Sequence, residues 1–281
     1  MMPRWDPAAF LENVKKWKVT WSLLVGTMMV DLGNLDVQSF DVSSLRFCGV
    51  GGSPIPPAIY DKFEKKYGVK TLELYGQTEN SGLSVTYSVK DQRRPLSMGK
   101  ALGRVVQMKI VDFEGREVKL GEIGELLLKG DIVTPGYLNL PEVNKKKFED
   151  GWIHTGDMVR MDKDGYLYFA ERTDDLIITG GENVYPREVE DVIYQHPAVA
   201  EVAVIGLPHE RWGEEITAVI VPRKEVAKEE IIQFVRNSGK LAGYKCPRRI
   251  EFIDELPKTA SRKISKATLR KRFIQVEKSN L

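Results

Sequence analysis

Cysteine is almost missing: the chain has 281 residues and only two cysteines, Cys48 and Cys246. They stand far apart without metal-ligand spacing, which excludes a disulfide scaffold and points to a reduced, cytoplasmic compartment. Histidine is nearly as scarce, with three residues. His196 opens a His-Pro turn and His209 sits in a polar loop, so both read as structural, while His154, three residues before Asp157, is open to either reading. No run approaches the ~18 apolar residues of a membrane-crossing helix, and MMPRWDPAAFLENVKKWK has no apolar centre of a secretion signal. Excess charge is also lacking, since 42 Lys and Arg face 40 Asp and Glu for a net +2. That balance gives no bulk attraction to nucleic acid or anionic lipid. The locally basic KTASRKISKATLRKR lacks the interleaved aromatics of a single-strand binder, so no nucleic-acid partner is expected.

What is present is ordinary globular material, 42% hydrophobic and 29% charged, at a length that suggests roughly two domains. Asp6 and Pro7 open an amphipathic helix with Phe10, Leu11, Val14 and Trp17 on one face. VTWSLLV, LRFCGV and VKTLEL read as buried strands, and Pro56 and Pro57 open a helix marked by Ile59, Phe63 and Tyr67. Alternating strand and helix predicts a parallel sheet over about 1–98. From 99 to 173 the texture shifts to short strands punctuated by glycine, RVVQMKIVD, GELLLKG and DGYLYFAE, as in a small antiparallel barrel or sheet. Residues 174–281 then read as a compact α+β domain, with DLIIT, a helix from Pro186, VAEVAVIG, EITAVIVP, EEIIQFVRN and RIEFID. The expected fold class is thus α/β: a parallel-sheet part, a small antiparallel part, and an α+β C-terminal domain.

Five stretches carry candidate chemistry. YGQTENSGLS, from Tyr75, follows a strand, where open α/β sheets bind ligands. Tyr75 can stack on a base, Gly76 admits close backbone, Thr78 can bond an oxyanion and Glu79 can hold a hard cation. A polar loop closing a strand is the plain alternative. CGVGGSPIPP offers bare backbone for a flat ligand, or a tight strand-to-helix turn. GWIHTGD ends in Asp157, suited to the paired hydroxyls of a ribose, or a simple turn aspartate. ERTDDLIITGGENVYPREVE sets Arg172 beside aspartates and then Gly180 and Gly181 before a helix, and PKTASRKISKATLR offers Lys263 at a helix mouth. An ion pair with a loop and a solvated basic face are their plain counterparts.

The order of these stretches resembles the AMP-forming acyl-CoA synthetase, luciferase and peptide-synthetase adenylation superfamily over practically the whole chain. HPAVAEVAVIGLPHERWGE and LAGYKCPRRIEFIDELPKTASRKI look most like fatty-acyl-CoA ligases. The resemblance implies that Gly51, Gly52, Ser53 and Pro54 line the adenine and acyl pocket, and that Glu73, Leu74, Tyr75, Gly76, Gln77 and Thr78 form the nucleotide strand end. It makes Tyr75 the adenine-stacking ring, Thr78 a phosphate-facing hydroxyl and Glu79 the Mg2+ ligand. Asp157 becomes the ribose carboxylate, Arg172 a second nucleotide contact, Asp174 a hinge for a mobile lid over 174–281, and Lys263 the adenylation lysine. Gly180 and Gly181 line the pantetheine path, with Tyr244 and Arg248 near the coenzyme A nucleotide. The implied substrates are ATP (released as AMP), a carboxylic acid and coenzyme A.

Departures matter too. Glu171 and Arg262 stand where such enzymes more often have glycine, and Cys246 in the Tyr-Lys-x-Pro segment is a further small departure. No Ser/Thr/Gly-rich phosphate loop followed by Pro-Lys occurs in the sequence. The expectation is the C-terminal part of an acid–thiol ligase, inactive alone, that associates as a homodimer or with a separate N-terminal half through residues 1–50. A non-catalytic nucleotide- or coenzyme-A-binding module, a remnant of a disrupted gene, and another adenylate-forming chemistry are the alternatives.

Overall fold

Asp6 starts the first helix in the way its chemistry favours: its backbone is extended at φ −144°, and its carboxylate accepts the Ala9 N–H. In the computed structural model of the protein, residues 4–35, 40–52, 55, 57–103, 105–259 and 264–279 are described. The expectations for Ser53, Pro54, Pro56, Arg262 and Lys263 lie outside these residues. The chain divides into two units, Met1–Phe169 and Ala170–Leu281.

The first unit runs α1 (Pro7–Trp17), β1 (Trp21–Leu24), α2 (Gly26–Asn34), β2 (Phe47–Gly51), α3 (Pro57–Tyr67) and β3 (Lys70–Tyr75). It continues with β4 (Val85–Thr86), β5 (Ser97–Ala101), β6 (Gln107–Val111), β7 (Ile123–Lys129), α4 (Pro141–Lys147), β8 (Phe148–Glu149) and β9 (Trp152–Met161). β10 (Leu167–Arg172) runs across the boundary. β1, β2 and β3 are parallel, and the sheet then continues antiparallel in the order β4, β5, β10, β9, β7, β6. The parallel part packs Leu24, Val50, Tyr60 and Phe63 with the faces of α1 and α2, while Val85, Leu126, Leu128, Ile153 and Val159 fill the antiparallel part.

The structure departs from the sequence expectations at Trp17 and β1, and adds a helix, α2. Trp17 does not share the covered face of α1: Phe10, Leu11 and Val14 are buried, but Trp17 is 66% exposed. β1 is not buried along its length, since it is the end strand of the sheet and Trp21 and Leu23 face outward. α2 was not expected, because GTMMVDLGN begins at a glycine with no capping side chain; it forms because Met29 and Leu32 reach the core.

The second unit contains β11 (Ile177–Thr179), β12 (Glu182–Val184), α5 (Pro186–Ile193), β13 (Val199–His209), β14 (Gly213–Pro222), α6 (Lys228–Asn237), β15 (Arg249–Phe252) and α7 (Lys266–Ser279). β12, β11, β14 and β13 pair in that order and β15 joins β14 in parallel. Val189, Val192, Ile216 and Ile231 belong to one apolar cluster of this unit, and Ile205, Val219 and Leu269 to another. No helix among the described residues is long and apolar enough to cross a membrane.

Candidate functional site

β2 and β3 are parallel neighbours, so their carboxyl ends and the loops that follow lie side by side. The two strands approach closely at Gly51, where a Cβ would fall 2.5 Å from the Leu74 carbonyl oxygen. Gly52 has φ 95°, a conformation few side chains tolerate. Glu73 and Leu74 lie in β3, and the Glu73 carbonyl accepts the Thr86 hydroxyl at 2.8 Å. Beyond Tyr75 the chain folds back on itself: a Cβ on Gly76 would lie 2.3 Å from the Gly82 carbonyl oxygen, so only glycine fits. One turn of 3₁₀ helix, Thr78–Asn80, follows, with Gln77 and Asn80 in a reciprocal capping box. Thr78 is left exposed at its start.

The other half of the site comes from β9. Between the pairs Glu125↔Met158 and Leu127↔His154, Leu126 alone faces Thr155, Gly156 and Asp157. The bulge bends β9, with Gly156 at φ 73°. The Thr155 hydroxyl donates to the Leu126 carbonyl at 2.7 Å and accepts the Asp157 N–H at 3.1 Å, standing in for lost ladder bonds. Asp157 is therefore not a turn residue, as one reading of GWIHTGD had it; it sits within a strand and is 3% exposed.

The two halves meet at its carboxylate. Asp157 Oδ2 accepts the Tyr75 hydroxyl at 2.5 Å and the Gln77 side-chain amide at 2.7 Å, and that amide also donates to the Thr155 carbonyl at 2.8 Å. Residues some eighty positions apart in sequence thus share one charge-assisted network. It sets the half-buried Tyr75 ring and the buried Asp157 carboxylate side by side at the strand end. An aromatic ring beside a fixed acceptor has the chemistry to take a nucleoside, ring against ring and hydroxyls toward carboxylate.

Glu79, half-buried on the 3₁₀ turn, accepts the Tyr137 hydroxyl, and its carbonyl accepts the Thr134 N–H at 2.8 Å. Tyr137 is held in turn by Asn144, whose amide oxygen accepts the Tyr137 N–H at 2.7 Å and whose amide nitrogen donates to the Tyr137 carbonyl at 2.8 Å. Among the described residues no three His, Cys, Asp or Glu side chains gather as a metal cage. A single carboxylate suits Mg2+, which keeps waters and takes phosphate oxygens as ligands. Tyr137, Thr155 and Glu125 escaped the sequence reading because their partners are distant in the chain; the Gly-Tyr pair of TPGYLNLPE was the one visible signal.

The remaining expected residues belong to the second unit. Arg172 ends β10, and Asp174 lies in a 3₁₀ turn, Thr173–Asp175, with its carbonyl accepting Arg270 Nη1 at 3.0 Å. Gly180 and Gly181, at φ 61° and 84°, make the tight turn between β11 and β12. The Gly180 N–H donates to the Trp212 carbonyl at 2.8 Å. Arg248 lies 4.4 Å over the Trp212 ring and donates to Thr179 Oγ1 at 3.3 Å, which brings it beside the Gly180 turn. Arg211 lies 4.5 Å from the same ring, an aromatic-cation group the sequence reading did not single out. Tyr244 is exposed on a further 3₁₀ turn, Gly243–Lys245, pinned by Lys245 to Glu188 at 2.8 Å.

Comparison with known proteins places the chain in a family. The family profile for AMP-binding enzymes matches residues 1–138, and that for the AMP-binding enzyme C-terminal domain matches residues 188–263. A medium/long-chain-fatty-acid–CoA ligase of Mycobacterium tuberculosis is 37% identical over 97% of this chain and 49% of its own length. A 2-succinylbenzoate–CoA ligase of Bacillus cereus is 37% identical over 96% of this chain and 55% of its own. Among solved structures, o-succinylbenzoate CoA synthetase of Bacillus subtilis, in complex with its acyl-adenylate intermediate, is 34% identical with a TM-score of 0.84, covering 95% of this chain and 54% of that one. The chain spans about half the length of the curated relatives it matches. With both family profiles in sequence order and the Tyr75–Asp157 network joining two of the expected motifs, the chain belongs to the AMP-binding, adenylate-forming enzymes.

Proposed function

We propose that this chain is part of an acyl-CoA synthetase that converts a carboxylic acid, ATP and coenzyme A into acyl-CoA, AMP and pyrophosphate through an acyl-adenylate. One observation carries the reading: the buried Asp157 carboxylate is held by Tyr75 and Gln77 at the end of the parallel strands. In this reading the Tyr75 ring and the Gly51–Gly52 backbone flank adenine, Asp157 grips the ribose hydroxyls, and Arg172 is a second nucleotide contact. Thr78 faces phosphate, and Glu79 holds Mg2+, which offsets phosphate charge when bound. Residues 174–281 act as the lid, turning about Asp174 to present Lys263 for adenylation and the Gly180–Gly181 turn, Tyr244 and Arg248 for coenzyme A. Preorganised donors of this kind offset the charge that builds as a carboxylate attacks phosphorus.

The relatives' names support the reaction class: fatty-acid and 2-succinylbenzoate CoA ligases both join an acid to a thiol. The sequence contains no Ser/Thr/Gly-rich Pro-Lys loop, so the chain by itself is proposed to bind AMP without turnover. The outward β1 edge, with Trp21 and Leu23, is where we place contact with a second copy or a separate N-terminal half. Calorimetric titration with AMP tests the site: Asp157→Asn should weaken binding about tenfold or more, the worth of hydrogen bonds to a charged group. Unchanged affinity, or acid-dependent pyrophosphate release by the pure chain, would overturn the corresponding part.

A further inference from the structure

Asp157 owes its place to a bulge, and the bulge has its own clasp. The Glu125 carboxylate, on β7, reaches across to β9 with both oxygens: Oε1 accepts the Gly156 N–H at 2.9 Å and Oε2 lies 2.9 Å from His154 Nδ1. These two contacts bracket Thr155, and they fall immediately before the residue that meets Tyr75 and Gln77. On its other side the His154 ring has Nε2 3.9 Å from Glu149 of β8. Gly156 is the one residue of the bulge with positive φ, and its N–H turns to Glu125 where Leu126 alone faces three residues of β9. The Glu125 acceptor fixes the Gly156 peptide, and without it the bulge would be free to shift toward a regular ladder.

We infer that Glu125, with His154 as its second anchor, is a positioning residue that aims Asp157 and so sets the discrimination of ribose hydroxyls. The inference rests on the proposed ribose role of Asp157. Neither side chain touches the nucleotide surface in this account; they act by fixing the Gly156 peptide. A glutamine at position 125 can replace the glutamate in both contacts, its carbonyl accepting Gly156 N–H and its amide donating to the imidazole, whereas alanine can replace neither.

The test titrates the full chain with AMP and with 2′,3′-dideoxy-AMP, for wild type, Glu125→Gln and Glu125→Ala. Wild type should prefer AMP by about tenfold or more. Glu125→Gln should keep most of that preference and Glu125→Ala should lose it, while affinity for the dideoxy compound stays near wild type. Hydrogen exchange should show the Gly156 and Asp157 amides opening faster in Glu125→Ala, with the β2 and β3 amides unchanged. If Glu125→Ala does not fold, His154→Ala removes one contact and should give part of the same loss. A wild type that binds both nucleotides equally, or neither, overturns the ribose role of Asp157 and this inference with it. A wild type that prefers AMP alongside a folded Glu125→Ala with the full preference overturns the positioning role alone.

Discussion

Lys266 Nζ lies 3.1 Å from Glu171 Oε2, with the two side chains only 13% and 5% exposed. Glu190 Oε1 stands 2.9 Å from the same ammonium, so the first residue of α7 is held by two carboxylates. Glu171 also accepts the N–H of Arg172 and of Arg187, and Glu190 that of Val204. Removing one member of such a group leaves buried charge without compensation. Lys266→Met should therefore destabilise the second unit by about 3–5 kcal/mol. Chemical denaturation followed in that unit checks it, and a loss below 1 kcal/mol would show the cluster to be well hydrated.

The same variant should change the response to acid. Burial, aided by Glu190, raises the Glu171 carboxyl above its ordinary 4.5 even with Lys266 opposing. Burial alone would lower the Lys266 ammonium, but Glu190 and Glu171 outweigh it and raise it. With the ammonium gone, Glu171 rises further, so the folded state binds a proton that the unfolded state has released. Stability then falls as pH climbs above 4.5 through the raised value. Lys266→Met should thus lose less stability at pH 5 than at pH 7.5. An equal loss at both would rule out Glu171 as the stranded charge.

Gly76→Ala probes the turn that follows Tyr75. The new Cβ would fall 2.3 Å from the Gly82 oxygen and 2.6 Å from the Leu83 nitrogen, both backbone atoms that no rotamer change can move aside. The turn must open, stretching the Ser84 N–H bond to the Tyr75 carbonyl and the Gly82 N–H bond to the Gln77 carbonyl. A cost of about 1–3 kcal/mol is expected, with AMP affinity falling in parallel. Urea midpoints together with AMP titration measure both, and wild-type values for both would mean that the turn yields freely.

A fourth expectation concerns β1. Its outer side ends the sheet, Trp21 and Leu23 are 56% and 61% exposed, and Trp17 nearby is 66% exposed. Unpaired edges with apolar side chains favour association. Light scattering should show concentration-dependent oligomers of the wild type that Trp21→Lys with Leu23→Lys converts to monomer. A wild type that stays monomeric throughout would refute self-association by this edge.

The sequence made the strands and helices with clear periodicity legible: α1, α3, β2, β3 and most of the second unit follow their apolar spacing. Texture placed the change from parallel to antiparallel strands too late, at about 99, because β4 and β5 are short and already pair antiparallel from Val85 onward. α2 was hidden because its helix is stabilised by burial of Met29 and Leu32 rather than by caps or propensity. Trp17 misled because spacing says which residues share a face, not what covers the end of that face. Of the site, Tyr75 and Asp157 were visible as separate motifs. Their hydrogen bond, and the parts played by Glu125, Thr155 and Tyr137, depend on register between strands distant in sequence, which no local pattern encodes.

The mismatch between β7 and β9 is two residues, an even number, and side chains along a strand alternate faces with a period of two. Leu128 with Ile153 on one side of the bulge, and Gly124 with Val159 on the other, therefore keep the same inside and outside, and Ile153 and Val159 both remain in one core. Deleting one of Thr155, Gly156 and Asp157 would invert the strand beyond it, moving Val159 out of its core to the opposite face and turning Arg160 inward. Deleting two would only straighten it. The bulge is in this sense modular: it can be lengthened or removed in pairs without renegotiating the hydrophobic interior.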